Sequence, residues 1–240
     1  MRVQGKTYIS LDFPTWEESR SFLTRHDLNG VPVKVGMELF YREGPKLIER
    51  LKEDNHDIFL DLKLFDIPTT VQKAMRNIAK LEVDMVNVHA LGGSEMIKRA
   101  KEGLVSGTTT NHESKLIAVT ILTSMDETAV KSEMNLQGTL QENVVQFAGF
   151  AADNGADGVV CSAHEVEQIK GMCGKDFLTV TPGIRLTDSS SNDQKRPATP
   201  SFAKESGADI LVLGRTVTQA ENPKAAYEKV QKEWGNGVKS

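Results

Sequence analysis

Short apolar segments alternate with longer segments of helical periodicity along the whole chain. The apolar segments predict eight strands, at 8–13, 31–39, 58–65, 85–90, 115–122, 158–162, 177–184 and 210–215. Between them, apolar residues recur at spacings of three and four, as at Val71, Met75 and Ile78, which share one helical face. Strands that are apolar throughout and alternate with helices predict a parallel sheet covered on both faces.

The number of strand–helix units bears directly on the fold. Eight such units within 240 residues, with no low-complexity linker, predict an α/β protein made of one (β/α)₈ TIM-barrel domain over 1–240. An open doubly wound sheet is the alternative. That fold usually has six strands, and its dinucleotide-binding members carry GxGxxG after a strand, a motif this chain lacks.

Two connections are longer than a barrel requires, at 123–138 and 185–198. They follow the fifth and seventh predicted strands, and the carboxyl ends of the strands carry the active site in barrel enzymes. Connections of this length are typical of lids and binding loops. We therefore expect both at the mouth of an active site.

The third strand carries charges within an otherwise apolar run, IFLDLKLFDIPTT. Asp61 and Lys63 are two residues apart, so they point to the same face, while the leucines between and beside them point to the other. Lys34 lies in the second predicted strand and Asp12 near the end of the first. We expect these charged groups to converge inside the barrel near its mouth.

A cluster of this kind could be a purely structural network of salt bridges. Replacing a buried ion pair by apolar residues is often neutral or stabilising, however, so stability alone is a weak reason to keep one. In an alternating array each ammonium lowers the pKa of its neighbouring carboxylate, and each carboxylate raises that of the ammonium. Such an array suits a reaction in which negative charge develops on a substrate and a lysine then supplies a proton.

A candidate phosphate site lies near the end of the chain. Gly214 and Arg215 end the eighth predicted strand, where barrels often bind phosphate. Arg185 and Gln194 lie in the connection after strand seven and could close over the same group.

Composition narrows the possible partners and compartment. The net charge of −4 gives no strong positive field for nucleic acid or an anionic membrane, and no run approaches 18 apolar residues. The N-terminal residues lack the apolar core of a signal peptide, and the two cysteines are not in CxxC spacing, so we expect a cytoplasmic protein.

We expect Cys161 to be a small buried hydrophobe and His89 a core histidine with satisfied hydrogen bonds. Met37, Met75, Met85 and Met172 are expected in the core.

The third strand also carries a recognisable motif. FLDLKLFDIPTT resembles the DxKxxDIPxT motif of the orotidine 5′-monophosphate (OMP) decarboxylase family. SLDF, VKVGMELF, NVHALGG, TPGIR, NDQKRPATP and LVLGR follow in the family's order, so the resemblance covers essentially the whole chain. One departure is Thr69, where many members have Asn, and we expect only a local adjustment there.

The resemblance implies a homodimeric barrel that converts OMP to UMP and CO₂ in pyrimidine biosynthesis without a metal or an organic cofactor. Lys34, Asp61, Lys63 and Asp66 would form the catalytic array, with Lys63 stabilising the C6 carbanion and then protonating it. Asp61 would lie beside the substrate carboxylate, and Lys34 would orient Asp61 and contact the ribose.

The resemblance also assigns the rest of the substrate site. Asp66, Ile67 and Thr70 would reach into the active site of the neighbouring subunit. The remaining substrate-binding positions implied are Asp12 for the ribose, Thr123 for the pyrimidine, Arg185, Gln194, Gly214 and Arg215 for the phosphate, and Pro182.

Two other functions stay open from the sequence. A metal-dependent sugar-phosphate decarboxylase or aldolase of the same barrel superfamily would have an acidic residue near the position of Lys34, where a lysine would repel the metal. A non-catalytic nucleotide-binding barrel would need the phosphate and ribose contacts, but not a lysine buried beside two carboxylates.

Overall fold

The computed structural model describes residues 3–186 and 196–235. Eight parallel strands close into a barrel in chain order, with β1 paired to β8 through Thr7–Leu211, Tyr8–Val212 and Ile9–Leu213. This confirms the predicted TIM barrel. The strands are β1 (Thr7–Ser10), β2 (Val33–Gly36), β3 (Ile58–Leu64), β4 (Met85–His89), β5 (Lys115–Val119), β6 (Gly158–Val160), β7 (Leu178–Thr181) and β8 (Ile210–Leu213).

Within the described residues the connections contain eleven α-helices, and at least one follows each strand. They are α1 (Trp16–Arg25), α2 (Met37–Glu43), α3 (Pro45–Glu53), α4 (Pro68–Ala79), α5 (Gly93–Gly107), α6 (Glu127–Ser132), α7 (Leu140–Asp153), α8 (Val166–Cys173), α9 (Pro200–Glu205), α10 (Arg215–Thr218) and α11 (Pro223–Gly235). Over the described ranges, none of these helices combines the length and the apolar character needed to cross a membrane.

Two predicted boundaries were wrong. The strand expected at 31–39 ends at Gly36, and α2 begins at Met37, because periodicity over so short a mostly apolar segment does not separate a strand from a following helix. The connection 123–138 is not a plain loop, since it contains α6, whose first turn is capped by the Asp126 side chain accepting from the N–H of Ala129 at 3.0 Å.

The methionine prediction was half right. Met75 and Met85 are fully buried, whereas Met37 is 44% exposed and Met172 57% exposed. Met172 lies near the end of α8. Met37 lies at the carboxyl end of β2, where the active site is expected.

Two apolar layers separate the barrel interior from the ring of helices. The inner layer consists of side chains that fill the barrel itself, among them Tyr8, Phe59, Met85 and Val180. The outer layer lies between strands and helices and contains the alternate strand residues, such as Leu60 in β3. Side chains of odd and even position thus face opposite sides of each strand, and this alternation fixes which residues of β3 reach the interior.

The amino-terminal edge of the barrel is tied together by aspartates that precede three strands. Each carboxylate accepts a hydrogen bond from a backbone N–H of the preceding strand, at 2.7 to 2.8 Å: Asp84 from Ile58, Asp157 from Leu116 and Asp209 from Thr179. These bonds satisfy strand N–H groups at the end opposite the expected active site. The two ends of the barrel therefore use their carboxylates for different purposes.

Candidate active site

Three charged side chains meet at the carboxyl end of β2 and β3. Asp61 lies between two ammonium groups, with one oxygen 2.9 Å from Lys34 Nζ and the other 2.7 Å from Lys63 Nζ. Lys34 also lies 3.5 Å from Asp12 at the end of β1. The side chain of Asp61 is only 7% exposed, whereas that of Lys63 is 28% exposed and faces the cavity. The predicted convergence of Lys34, Asp61, Lys63 and Asp12 is confirmed.

Burial and pairing have opposite effects on these groups. Burial disfavours the ionised Asp61, but Lys34 and Lys63 outweigh burial and hold the pKa of Asp61 below its usual range. Burial likewise disfavours the charged Lys34, but Asp61 and Asp12 outweigh it, so the pKa of Lys34 is raised. At neutral pH the array therefore carries fixed, opposite charges in a partly dry site.

The backbone at Lys63 departs from an ordinary strand. Its φ is +50°, in the left-handed region, and the pairing of β3 with β4 shifts register between Leu60 and Leu64. A bulge of this kind re-aims a side chain. Two hydrogen bonds from β4 meet at this point, because Asn87 accepts from the N–H of Lys63 and donates to Asp61.

A cavity of about 160 Å³ opens directly above the array. Lys34, Asp61 and Lys63 form its polar floor. Two predicted site residues, Thr123 and Pro182, lie in its walls. The walls are mostly apolar and consist of Phe59, Val119, Ile121, Leu122, Thr123, Val160, Pro182 and Val212. An apolar slot with charges on one side suits a flat ring that carries one reacting group.

A second cavity of about 450 Å³ adjoins the first and shares Lys34, Pro182 and Val212 with it. Its lining is polar and includes Asp12, Arg185, Gly214 and Arg215. Burial and the neighbouring Arg215 both lower the pKa of Arg185, so two guanidinium groups lie close enough to repel each other. A methyl group added at Gly214 would meet no protein atom within 4 Å, which leaves open space beside its backbone. Paired arginines at such a cavity are suited to a phosphate.

Arg185 is almost fully buried, and hydrogen bonds hold its guanidinium group in place. Its Nη1 donates to the carbonyl of Ile184 at 2.8 Å and to the hydroxyl of Thr216 at 3.1 Å. The same hydroxyl donates to Ile184 O at 2.6 Å. An isolated bridge between Ile184 and Ala198 joins the two ends of the 185–198 connection. The arginine is thus oriented before a ligand binds.

Comparison with known proteins identifies the family. Residues 6–230 match the model of the orotidine 5′-phosphate decarboxylase/HUMPS family. The chain belongs to this family. It is 52% identical over 227 residues to the orotidine 5′-phosphate decarboxylases of Bacillus mycoides (strain KBAB4) and Geobacillus sp. (strain WCH70), and each alignment covers 94% of this chain and 95% of the relative.

Solved structures agree with that family assignment. The crystal structure of orotidine 5′-phosphate decarboxylase from Lactobacillus acidophilus has a TM-score of 0.85 and 44% identity, covering 95% of this chain and 98% of that one. An uncharacterized conserved protein from Geobacillus kaustophilus has a TM-score of 0.83 and 43% identity, covering 95% and 99%. The fold and the family resemblance drawn from the sequence are confirmed together.

The family's DxKxxDIPxT motif divides between two locations in this chain. Asp61 and Lys63 lie in the array, but Asp66, Ile67 and Thr70 are exposed. The carboxylate of Asp66 accepts the N–H of Ile67 at 2.6 Å, and no ion pair in the described part of the chain joins Asp66 to Lys34 or Lys63. A single chain therefore brings together three of the four predicted catalytic residues. Gln194 lies outside the described residues.

Sequence reasoning missed residues that support the site. Asn87 and Thr216 hold Asp61, Lys63 and Arg185 through the bonds given above. The signal for Asn87 was present, since an amide in the middle of the apolar strand MVNVH needs a partner. Thr216, which directly follows the motif LGR, gave no comparable signal.

Another missed contact joins the loops that frame the mouth. Glu165, which follows β6, forms a buried ion pair with Arg196, and Arg196 also donates to the carbonyl of Leu122 after β5 at 3.5 Å. Glu165 in turn accepts the N–H of Ser162 at 2.7 Å. The contact connects segments that follow β5, β6 and β7.

The prediction for His89 was wrong in one respect. Its Nδ1 is buried without a hydrogen-bond partner among the described residues, and burial together with the nearby Lys63 lowers the pKa of the imidazole. His89 is thus a neutral group beside the array. Cys161 is 1% exposed, and burial raises the pKa of its thiol, so the prediction of a small buried hydrophobe is confirmed.

Proposed function

We propose that the chain converts OMP to UMP and CO₂ in pyrimidine biosynthesis, with Lys63 as the proton donor to C6. The observation that carries the proposal is the position of Asp61 between two ammonium groups, below a slot that joins a cavity with two arginines. Membership of the orotidine 5′-phosphate decarboxylase family and 52% identity over 94% of the chain support the same reaction.

The two cavities divide the substrate between them. The phosphate would bind Arg185, Gly214 and Arg215 in the larger cavity, with Gln194 from the connection after β7. The ribose would lie over Asp12 and Lys34, which are 3.5 Å apart where the cavities meet. The pyrimidine would enter the smaller slot beside Thr123 and Pro182, so that its C6 faces Lys63 and Asp61.

The chemistry then follows from the charges. The bond between C6 and the carboxylate carbon breaks, CO₂ leaves, and the electron pair stays on C6, where the Lys63 ammonium stabilises it. Lys63 Nζ transfers a proton to C6 and regains one from solvent, to which it is partly exposed. Asp61 would lie beside the substrate carboxylate and disfavour it before reaction, while Lys34 keeps Asp61 ionised and in position.

Metal-free catalysis is part of the proposal. One oxygen of Asp61 accepts hydrogen bonds from Lys63 and Asn87, and the other forms an ion pair with Lys34. A metal ion that bound Asp61 would therefore have to displace an ammonium group. In residues 3–186 and 196–235, no group of three or more His, Cys, Asp and Glu is arranged to hold a metal ion. The alternative, a metal-dependent sugar-phosphate enzyme, has no observation in its favour here.

A homodimer with shared active sites completes the proposal. Large apolar side chains are exposed around the carboxyl ends of β2, β3 and β4: Met37, Tyr41, Phe65, Ile67 and Leu91. Large apolar side chains that are exposed at one end of a barrel favour burial against another molecule. A second copy docked there would carry Asp66, Ile67 and Thr70, which are exposed in a single chain, toward its partner's array.

The proposal also places the enzyme in the cytoplasm.

The decisive assay follows the ultraviolet absorbance of OMP with the purified protein, with and without EDTA. We expect the orotate chromophore to be lost at the same rate in both. Lys63→Ala should abolish this loss while the far-ultraviolet circular dichroism stays native. Loss that EDTA prevents would contradict metal-free catalysis, near-normal activity of Lys63→Ala would remove its role as proton donor, and no loss from native protein would reject the reaction.

A further inference from the structure

We propose that Asn87 is a positioning residue that fixes the relative placement of Asp61 and Lys63, and that its amide group is required for turnover. The inference deepens the proposed function and rests on it, because it concerns the array that would protonate C6. Asn87 lies in the middle of β4, is fully buried, and contacts both residues from the neighbouring strand.

The hydrogen bonds of Asn87 form a closed ring with the array. Its Oδ1 accepts the backbone N–H of Lys63 at 2.7 Å, and its Nδ2 donates to Asp61 Oδ1 at 2.6 Å. Lys63 Nζ donates to that same oxygen of Asp61 at 2.7 Å. A backbone N–H can only donate and an ionised carboxylate can only accept, so chemistry fixes the orientation of the amide.

The bulge in β3 explains why this position needs an acceptor. Lys63 has a left-handed φ of +50°, which is unfavourable for a residue with a side chain, and the β3–β4 ladder is interrupted from Leu60 to Leu64. The N–H of Lys63 therefore has no ladder carbonyl, and Asn87 supplies the missing acceptor. The Lys63 ammonium lies on Asp61 with the backbone in this conformation, so the bond from Asn87 helps to hold the reactive geometry.

The other bond of Asn87 acts on charge. Asp61 has two lysine partners and one neutral donor, Asn87, so the amide adds a hydrogen bond to the ionised form without adding a third cation. This hydrogen bond contributes to the lowered pKa of Asp61. Only a group that accepts at one atom and donates at another can serve both neighbours.

Asn87→Asp tests this requirement with an almost identical shape. The introduced carboxylate can still accept from the N–H of Lys63, but it faces Asp61 with like charge unless it holds a proton. When protonated, its O–H can donate to Asp61 just as the amide did. We expect kcat at neutral pH to fall by roughly 100-fold, the order of loss for a misplaced reacting group. As pH falls, log kcat of the variant should rise while that of the parent protein does not.

Three comparisons make the experiment decisive. Asn154→Asp is the matched control, since Asn154 is a buried amide that follows α7 and donates from its side chain to Phe150 O, and the kcat and pH profile of this variant should match those of the parent protein. Asn87→Ala should lose kcat at every pH, because no proton can restore the bonds. Affinity for UMP should stay within about threefold in all variants, since the phosphate contacts lie elsewhere.

Each outcome bears on one proposal. A parallel loss of kcat and UMP affinity with a flat pH profile would reduce Asn87 to a structural role and overturn the inference. If Asn87→Asp fails to fold, kcat of Asn87→Ala within threefold of the parent protein would do the same. An inactive parent protein would instead reject the proposed function.

Discussion

Arg215→Ala tests how the larger cavity recognises its ligand. Arg215 begins α10 directly after β8, is half-buried, and lines the cavity with Arg185 and Gly214. Burial and the repulsion between the two guanidinium groups lower the pKa of Arg185, so the two cations oppose each other at this cavity. A phosphate dianion would offset that repulsion, so Arg215 should contribute to phosphate binding.

The size of the effect follows from the kind of contact. A hydrogen bond to a charged partner contributes about 1.5 to 3 kcal/mol, which corresponds to roughly 10- to 150-fold in the dissociation constant of UMP. Arg185 remains in the variant and is freed from its neighbour's repulsion, so we expect the lower half of this range. Affinity for uridine, which lacks the phosphate, should be unchanged.

Isothermal titration calorimetry should measure the affinities of UMP and of uridine, each for the parent protein and for Arg215→Ala. The matched control is Arg99→Ala, which removes an exposed arginine paired with Glu95 and Glu102 on α5. It should leave both affinities unaltered. Equal losses for uridine and UMP in Arg215→Ala would refute the reasoning, because they would show that the arginine supports the cavity as a whole rather than the phosphate.

Three further predictions concern the dimer, Asp84 at the amino-terminal edge of the barrel, and the ion pair between Glu165 and Arg196. Lys63→Ala and Asp66→Ala are each expected to be inactive, and mixing them should restore part of the activity through hybrid dimers; no recovery despite demonstrated subunit exchange would count against shared sites. Burial raises the pKa of Asp84, so the folded protein binds the proton of this carboxyl group more tightly than the unfolded chain does, and stability falls as the pH rises through the raised pKa. Asp84→Asn should therefore raise the melting temperature at pH 8 and not at pH 3. A lower melting temperature of the variant at pH 8 would contradict this. Glu165→Gln should lower the free energy of unfolding by about 3 kcal/mol in urea titrations, because it leaves Arg196 buried without its counter-charge, and adding Arg196→Met should recover most of that loss; additive losses would argue against an ion-pair effect.

The sequence predicted the barrel because eight strand–helix units exceed the six that are usual in the alternative, an open doubly wound sheet. Eight apolar runs alternate with helices, and all eight strands lie within the predicted runs except that β1 begins one residue earlier. Asp61 and Lys63 were predicted to share a face from their spacing alone, and the inner and outer layers of the barrel show the same alternation for Phe59 and Leu60. Local pattern was sufficient wherever a residue's environment is set by its own strand.

It was not sufficient where the environment is set by another segment. The bulge at Lys63 depends on an acceptor 24 residues away, on Asn87, and no propensity scale registers that contact. The contact of Arg196 with Glu165 joins residues that are 31 apart. Met37 was expected in the core because it is apolar, but an apolar side chain at the surface has the same sequence signature as one in the interior.

The charges of the two cavities explain why binding and reaction can be separated. Lys34, Asp61 and Lys63 together carry one net positive charge, which the carboxylate of OMP would neutralise. That neutralisation is incomplete locally, because Asp61 lies next to the entering carboxylate and repels it, so the slot alone would bind the reacting group poorly. Attraction at Arg185 and Arg215, in the adjoining cavity, must offset this repulsion. In the proposed reaction the negative charge would move to C6 as CO₂ leaves, and the Lys63 ammonium would attract it. In the proposed reaction, Asp61 would thus weaken binding of the reacting group in the slot, while Lys63 beside it would stabilise the transition state.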